Sequence, residues 1–145
     1  MRSFINFICL VSIPVFFGSC STFGTVSKGY NYSKQEIWAS MSSIVEKNYG
    51  GIKRITPNPP TIISNLTVKD KKFGIDKTAY QAVIGLSGFN RPYVVDVEVR
   101  SYPSGEENGD YSVDRDKAQD IIDQIAVLLE HRKYNSSLQD EYQPY

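Results

Sequence analysis

Apolar residues recur at helical spacing in two segments of the chain. Ser33 and Glu36 have the spacing of a capping box, and the segment after them predicts an amphipathic helix over residues 34–48 that Gly50 and Gly51 end. A second helix is predicted over residues 114–133. The two apolar stripes consist of Ile37, Trp38, Met41, Ile44 and Val45, and of Ala118, Ile121, Ile122, Ile125, Leu128 and Leu129.

Between these helices the pattern changes to an alternation of apolar and polar residues with a period of two, to which Val83 is an exception. Residues 62–69, 80–87 and 93–100 alternate in this way and predict three strands, and residues 52–56 allow a fourth strand at an edge. The connections are short, which favours an antiparallel meander with one buried face. The predicted fold class is therefore α+β, a two-layer sandwich with a three- to four-stranded antiparallel meander and both helices on one face, in the order α-β-β-β(-β)-α.

The polar positions of these strands predict a second, uncovered face of the sheet. If the Tyr93 and Val95 side faces the helices, then Asp96, Glu98 and Arg100 project from the other side, and we expect them to form a surface ion network. This polar surface is unsuited to an acyl chain and suits a polar protein partner. The neighbouring strands are predicted to add Asn65, Thr67, Lys69 and Gln81 to it.

The N-terminus differs from the rest of the chain. Arg2 is followed by a mainly apolar stretch over residues 4–17, the layout of a signal peptide. A transmembrane helix needs about 20 apolar residues, so this stretch is too short. The residues Phe17-Gly18-Ser19-Cys20 then resemble the lipobox of bacterial lipoproteins, with Phe17 where that family usually has Leu.

The resemblance implies a diacylglycerol on the sulfur of Cys20, cleavage before this residue, and acylation of the new amino terminus. It also implies attachment to the cell envelope, and Ser21 after the cysteine, in place of the Asp that signals inner-membrane retention in this family, favours the outer membrane. The expected organisation is a signal peptide over residues 1–19, the lipidated cysteine and a tether over 20–32, one α+β domain over 33–133 and a polar C-terminal tail over 134–145.

Composition narrows the possible chemistry. The chain has 16 basic and 16 acidic residues, so it lacks the basic excess that nucleic-acid binding requires. Its one histidine, His131, is expected to cap the second helix, and with no cysteine besides Cys9 and Cys20 a zinc site is disfavoured. We therefore expect no metal and no cofactor, and we interpret the acidic residues of 106–123 as a solvated surface, because their spacing does not match a calcium loop.

Together these features predict a non-enzymatic, lipid-anchored envelope protein. Its membrane contact is the lipid, and its domain is expected to bind another envelope protein through Asp96, Glu98 and Arg100. The alternative is a ligand-binding module for peptidoglycan, glycan or lipid. Such a module would use a groove between helix and sheet or the tyrosines that flank the domain, Tyr30, Tyr32, Tyr142 and Tyr145.

Overall fold

The computed structural model describes residues 24–72 and 76–140. The predicted signal peptide, Cys20 and the final five residues lie outside this part of the chain. In order, the elements are β1 (Val26–Tyr30), α1 (Lys34–Tyr49), β2 (Ile52–Pro57), β3 (Pro60–Ser64), β4 (Thr67–Lys72), β5 (Asp76–Ser87), β6 (Tyr93–Tyr102), β7 (Ser112–Val113) and α2 (Arg115–Asp140).

The strands form one antiparallel sheet with the helices packed against one side. Its strand order is β1-β6-β5-β3-β2, with β4 beside the first half of β5 and β7 beside the end of β6. The α+β class, the antiparallel sheet and the two helices are as predicted. The structure describes seven strands, more than the predicted three or four. The additional strands are short or lie at edges, so the alternation pattern does not predict them.

The hydrophobic core lies between the helices and one face of the sheet. Directly paired residues of antiparallel strands share a face, and the pairs Ile84–Val97 and Ala82–Val99 place these side chains under the helices. All four are fully buried, as are Ile37 and Met41 of α1 and Ile125 and Leu129 of α2. Tyr30 of β1 also enters this core, where its hydroxyl donates a hydrogen bond to the Ile122 carbonyl at 2.8 Å.

Both helices begin after a residue whose side chain caps the helix N-terminus. The Ser33 hydroxyl accepts from the Glu36 amide at 3.2 Å, and the Glu36 carboxylate accepts from the Ser33 amide at 2.8 Å, which confirms the capping box. Asp114 precedes α2 and accepts from the Lys117 amide at 3.0 Å. In the part of the chain that is described, no helix is long and apolar enough to cross a membrane.

Secondary structure continues past the predicted bounds of the domain, 33 and 133, in both directions. Part of the predicted tether, Val26–Tyr30, is strand β1, which pairs with β6 from Val26–Val97 to Tyr30–Tyr93. This strand was missed because only its last residue is buried, so its sequence carries no alternation. At the other end, the predicted tail from residue 134 continues α2 as far as Asp140.

The strand predicted over residues 62–69 is interrupted. Its first half, β3, places Ile62 under the helices as predicted, but the chain breaks at residues 65–66 and resumes as β4. The break shifts the alternation by one position. Thr67 therefore pairs with Tyr80 on the covered face and donates to the Tyr49 carbonyl at 2.9 Å, whereas Val68 pairs with Ala79 and is 45% exposed.

Asn65 and Thr67 consequently do not belong to the uncovered face as predicted. The Asn65 amide nitrogen of the side chain donates to the Gly50 carbonyl at 3.1 Å, and its backbone amide donates to the Gly51 carbonyl at 3.0 Å. Both residues therefore stabilise the corner where α1 turns into β2. Lys69 lies on β4, and its side chain is outside the described part of the structure.

Candidate functional site

The side of the sheet that faces away from the helices is called the open face here. Asp96, Glu98 and Arg100 of β6 lie on this face, because they alternate with Val95, Val97 and Val99, which are fully buried under the helices. Glu98 and Arg100 form an ion pair, with Arg100 Nε 2.6 Å from Glu98 Oε1. Their side chains are 20% and 31% exposed, so the strand holds the pair at a half-buried position.

Asp96 is bonded separately from this ion pair. Its carboxylate accepts a hydrogen bond from the Ser27 hydroxyl of β1 and another from the Ser87 hydroxyl of β5 at 3.5 Å. The predicted ion network is therefore confirmed for Glu98 and Arg100 and is wrong for Asp96. Ser27 lies on β1 and Ser87 on β5, the two strands that flank β6.

Gln81 occupies the open face as predicted, but it is buried rather than exposed. It pairs with Arg100 across β5 and β6 and is only 1% exposed. Its Nε2 donates to the Ser64 carbonyl at 3.3 Å and to Glu107 Oε1 at 3.0 Å, and its Oε1 accepts from the Tyr102 hydroxyl at 3.3 Å. Because donor and acceptor are both bonded, the amide is buried without an unsatisfied atom.

The loop over residues 103–111 covers this end of the open face. Glu107 from the loop forms an ion pair with Lys53 of β2, and the Tyr111 ring lies against Tyr102 at a centroid distance of 5.6 Å. The Arg100 guanidinium sits over the Tyr111 ring at 4.9 Å from its centroid. This cover is not predictable from the sequence, because the loop residues are mainly polar and show no periodicity.

A cavity of about 250 Å³ lies between this loop and the strands, and we call it the cationic cleft. Its lining contains three cations and one carboxylate. Hydrogen bonds from Lys53 and from Gln81, together with the nearby charge of Arg54, hold the pKa of Glu107 below its usual value. The residues that line the cleft are Lys53, Arg54, Ile63, Gln81, Arg100 and Glu107.

Two further grooves are lined mainly by apolar atoms. One has a volume of about 340 Å³ and lies between α1 and the β2–β3 end of the sheet, where Trp38, Ile55 and Leu86 contribute to it. Trp38 is half-buried and packs against the core while one side faces this groove. The second groove, of about 300 Å³, runs between α1 and α2 beside Ile44 and Val127.

The remaining candidate residues from the sequence, His131, the acidic residues and the flanking tyrosines, do not form a common site in the described part of the chain. His131 is exposed and lies within α2 rather than in its last turn. Over residues 24–72 and 76–140, no group of three or more His, Cys, Asp or Glu side chains is placed to hold a metal ion. Tyr30 is buried, so it cannot contact a glycan from the surface, and Tyr142 and Tyr145 lie outside the described residues.

Comparison with known proteins does not assign a family. No protein-family model matches the chain, and no curated protein matches it.

Proposed function

We propose that the chain is a lipid-anchored, non-enzymatic protein of the bacterial cell envelope, located at the outer membrane, that binds another envelope protein through its open face. The observation that carries the binding proposal is the row of charged side chains on β6, held by neighbouring strands and left without a covering helix. Rigid, half-buried charges of this kind contribute to the specificity and rate of protein association.

The anchor proposal is supported by the lipobox-like sequence Phe17-Gly18-Ser19-Cys20. Gly24 leads directly into β1 and lies against Val113 of β7, since a Cβ added at this glycine would come within 2.7 Å of the valine side chain. A fully extended chain from Cys20 to Gly24 spans at most about 14 Å. Acylation at Cys20 would therefore keep the β7 end of the domain close to the bilayer and leave the open face accessible from the side.

Substitution of Cys20 tests the anchor. The variant Cys20→Ala is expected to lose incorporation of labelled palmitate and to retain its signal peptide, because the thiol that receives the diacylglycerol is absent. The matched control is Cys9→Ala, which removes the other cysteine and should label like the wild type. Acyl labelling of Cys20→Ala at the wild-type level would contradict the anchor proposal.

Charge reversal on β6 tests partner binding. In the triple variant Asp96→Lys, Glu98→Arg and Arg100→Glu, the last two changes preserve an ion pair of opposite orientation, so we expect the domain to remain folded, with a cooperative thermal transition. The same variant should recover less partner in a crosslinking pull-down from native membranes, because the charge pattern of the open face is inverted.

A control of equal charge change is available on α2. Asp116, Glu130 and Arg132 are exposed, and their simultaneous reversal should leave capture unchanged. Undiminished capture by the folded β6 variant would contradict binding through the open face.

The groove beside Trp38 favours a second candidate function, a binding module for lipid, glycan or peptidoglycan. The groove lies between helix and sheet, and its lining is mainly apolar. Trp38 is the single tryptophan of the chain, so its fluorescence reports on this site directly. Saturable quenching by phospholipid or by muropeptide fragments, lost in Ile55→Asp, would support this function over the open-face proposal.

A further inference from the structure

The Glu107 carboxylate is the one acidic group in the lining of the cationic cleft. It accepts hydrogen bonds from Lys53 Nζ and from Gln81 Nε2, the latter at 3.0 Å. The charge of nearby Arg54 favours the ionised form of Glu107. No described carboxylate, however, is within ion-pair distance of Arg54. The cleft therefore presents donors arranged around one carboxylate and has an additional cation beside it.

The donors extend from strands of the sheet, whereas the carboxylate extends from a loop. Lys53, Arg54, Gln81 and Arg100 all belong to strands of the sheet, and Gln81 is 1% exposed. Glu107 belongs to the loop over residues 103–111, and its ion pair with Lys53 has side chains that are 37% and 47% exposed. An ion pair this exposed is weakly stabilising, so another carboxylate can replace Glu107 at little cost.

We propose that the cationic cleft recognises a carboxylate side chain, Asp or Glu, of the protein partner, and that Glu107 is an internal group that occupies this site in the free protein. The proposal deepens the proposed function, since it gives the chemistry of the partner at the open face. On binding, the incoming carboxylate accepts from Lys53 and Gln81 and pairs with Arg54, while Glu107 moves into solvent.

The experiment is a titration of the isotopically labelled, purified protein in neutral detergent, followed by nuclear magnetic resonance. The probe is the capped peptide acetyl-Gly-Glu-Gly-amide, and the matched control is acetyl-Gly-Gln-Gly-amide. The Glu peptide is expected to shift the Gln81 side-chain amide and the backbone amides of Lys53 and Arg54. Equal shifts from the Gln peptide or from inorganic phosphate would overturn recognition of a carboxylate.

Two substitutions test the roles of the cleft residues. Glu107→Gln removes the internal competitor and is expected to strengthen binding of the Glu peptide by about two- to fivefold, the range that an exposed ion pair supplies. Arg54→Gln should weaken it by a similar factor, whereas Arg115→Gln, which removes an exposed cation at the start of α2, should have no effect. Equal binding by Glu107→Gln and the wild type would overturn the assignment of Glu107 as the internal occupant.

These outcomes are separable from those of the envelope experiments. The titration uses no native partner, so a failed pull-down leaves its result intact. Conversely, absence of peptide-induced shifts in the cleft would overturn the carboxylate site while the charge-reversal experiment on β6 could still succeed.

Discussion

The two faces of the same sheet are buried by different means. On the covered face, β5 and β6 contribute aliphatic side chains that pack under both helices, with Ile84 and Val97 fully buried. On the open face, the alternate positions of β6 include the charged residues Asp96, Glu98 and Arg100, and the polar Gln81 of β5 is buried where a loop provides a hydrogen-bond partner. Burial of apolar groups requires only contact, whereas burial of polar groups requires a bonded partner for each donor and acceptor.

This difference explains why polar burial is confined to one end of the open face. Across the described residues, no buried side-chain nitrogen or oxygen lacks a hydrogen-bond partner. Gln81 meets this condition through Ser64, Tyr102 and Glu107. Glu98 and Arg100 have one another as partners and stay half-buried, which leaves them available to a binding protein.

The largest effect is expected from a charge placed on the covered face. Ile125 of α2 is fully buried, and Ile125→Asp puts an unpaired carboxylate into the core. This costs several kcal/mol against a total stability of about 5–15 kcal/mol, so we expect the domain to unfold.

The neighbouring position on α2 supplies the control. Val127 is 52% exposed, and Val127→Asp should remain folded. Circular dichroism during heating measures both variants. A cooperative transition of Ile125→Asp at the wild-type temperature would show that α2 does not stabilise the covered face.

A smaller effect is expected from removal of the buried amide on the open face. Gln81→Leu leaves the Ser64 carbonyl and the Tyr102 hydroxyl without one of their partners, and we expect a loss of about 1–3 kcal/mol in the free energy of unfolding. Urea denaturation measures this loss. The double variant Gln81→Leu with Tyr102→Phe also removes the Tyr102 hydroxyl, which has lost its acceptor, and it should be more stable than Gln81→Leu alone. Additive losses in the double variant would contradict the coupling of these two residues.

The covered face was largely predictable from the sequence because its signal is repeated along the chain. The prediction of helix 34–48 agrees with Lys34–Tyr49, and the alternation of residues 93–100 gives the observed orientation of β6. By contrast, β1 pairs through its backbone and buries little besides Tyr30, so no side-chain pattern marks it. The break at residues 65–66 also reverses the faces of Thr67 and Val68, which continuous alternation cannot anticipate.

The candidate site was predictable only in part. The alternation correctly placed Asp96, Glu98 and Arg100 on the open face, since the orientation of side chains on a strand follows from its period. The cationic cleft was not predictable, because it joins Lys53 to Glu107 across a separation of 54 residues. The burial of Gln81 depends on the same loop, whose polar sequence gives no indication of where it folds.

The smallest effect is expected at the start of α1, a helix that packs on the covered face. Capping hydrogen bonds, rather than core packing, stabilise this end of the helix. Ser33→Ala removes the hydroxyl that accepts from the Glu36 amide and should cost about 1 kcal/mol. Ser43→Ala is the matched control, because Ser43 is exposed within the same helix and alanine favours helix there. Urea denaturation of both variants at neutral pH compares the two positions.

The pH dependence of this cap follows from its second member. Hydrogen bonds from the Ser33 hydroxyl and the Ser33 amide lower the pKa of Glu36 below its ordinary value of 4.5. A carboxylate with a lowered pKa in the folded state stabilises the protein above its unfolded pKa, and this contribution disappears as the pH falls through the folded value. The difference in stability between the wild type and Glu36→Ala should therefore be constant from about pH 6 to about pH 8 and should shrink below the ordinary pKa of Glu36. A difference that stays unchanged in acid would show that the Glu36 side chain stabilises α1 by packing and not by its ionised hydrogen bonds.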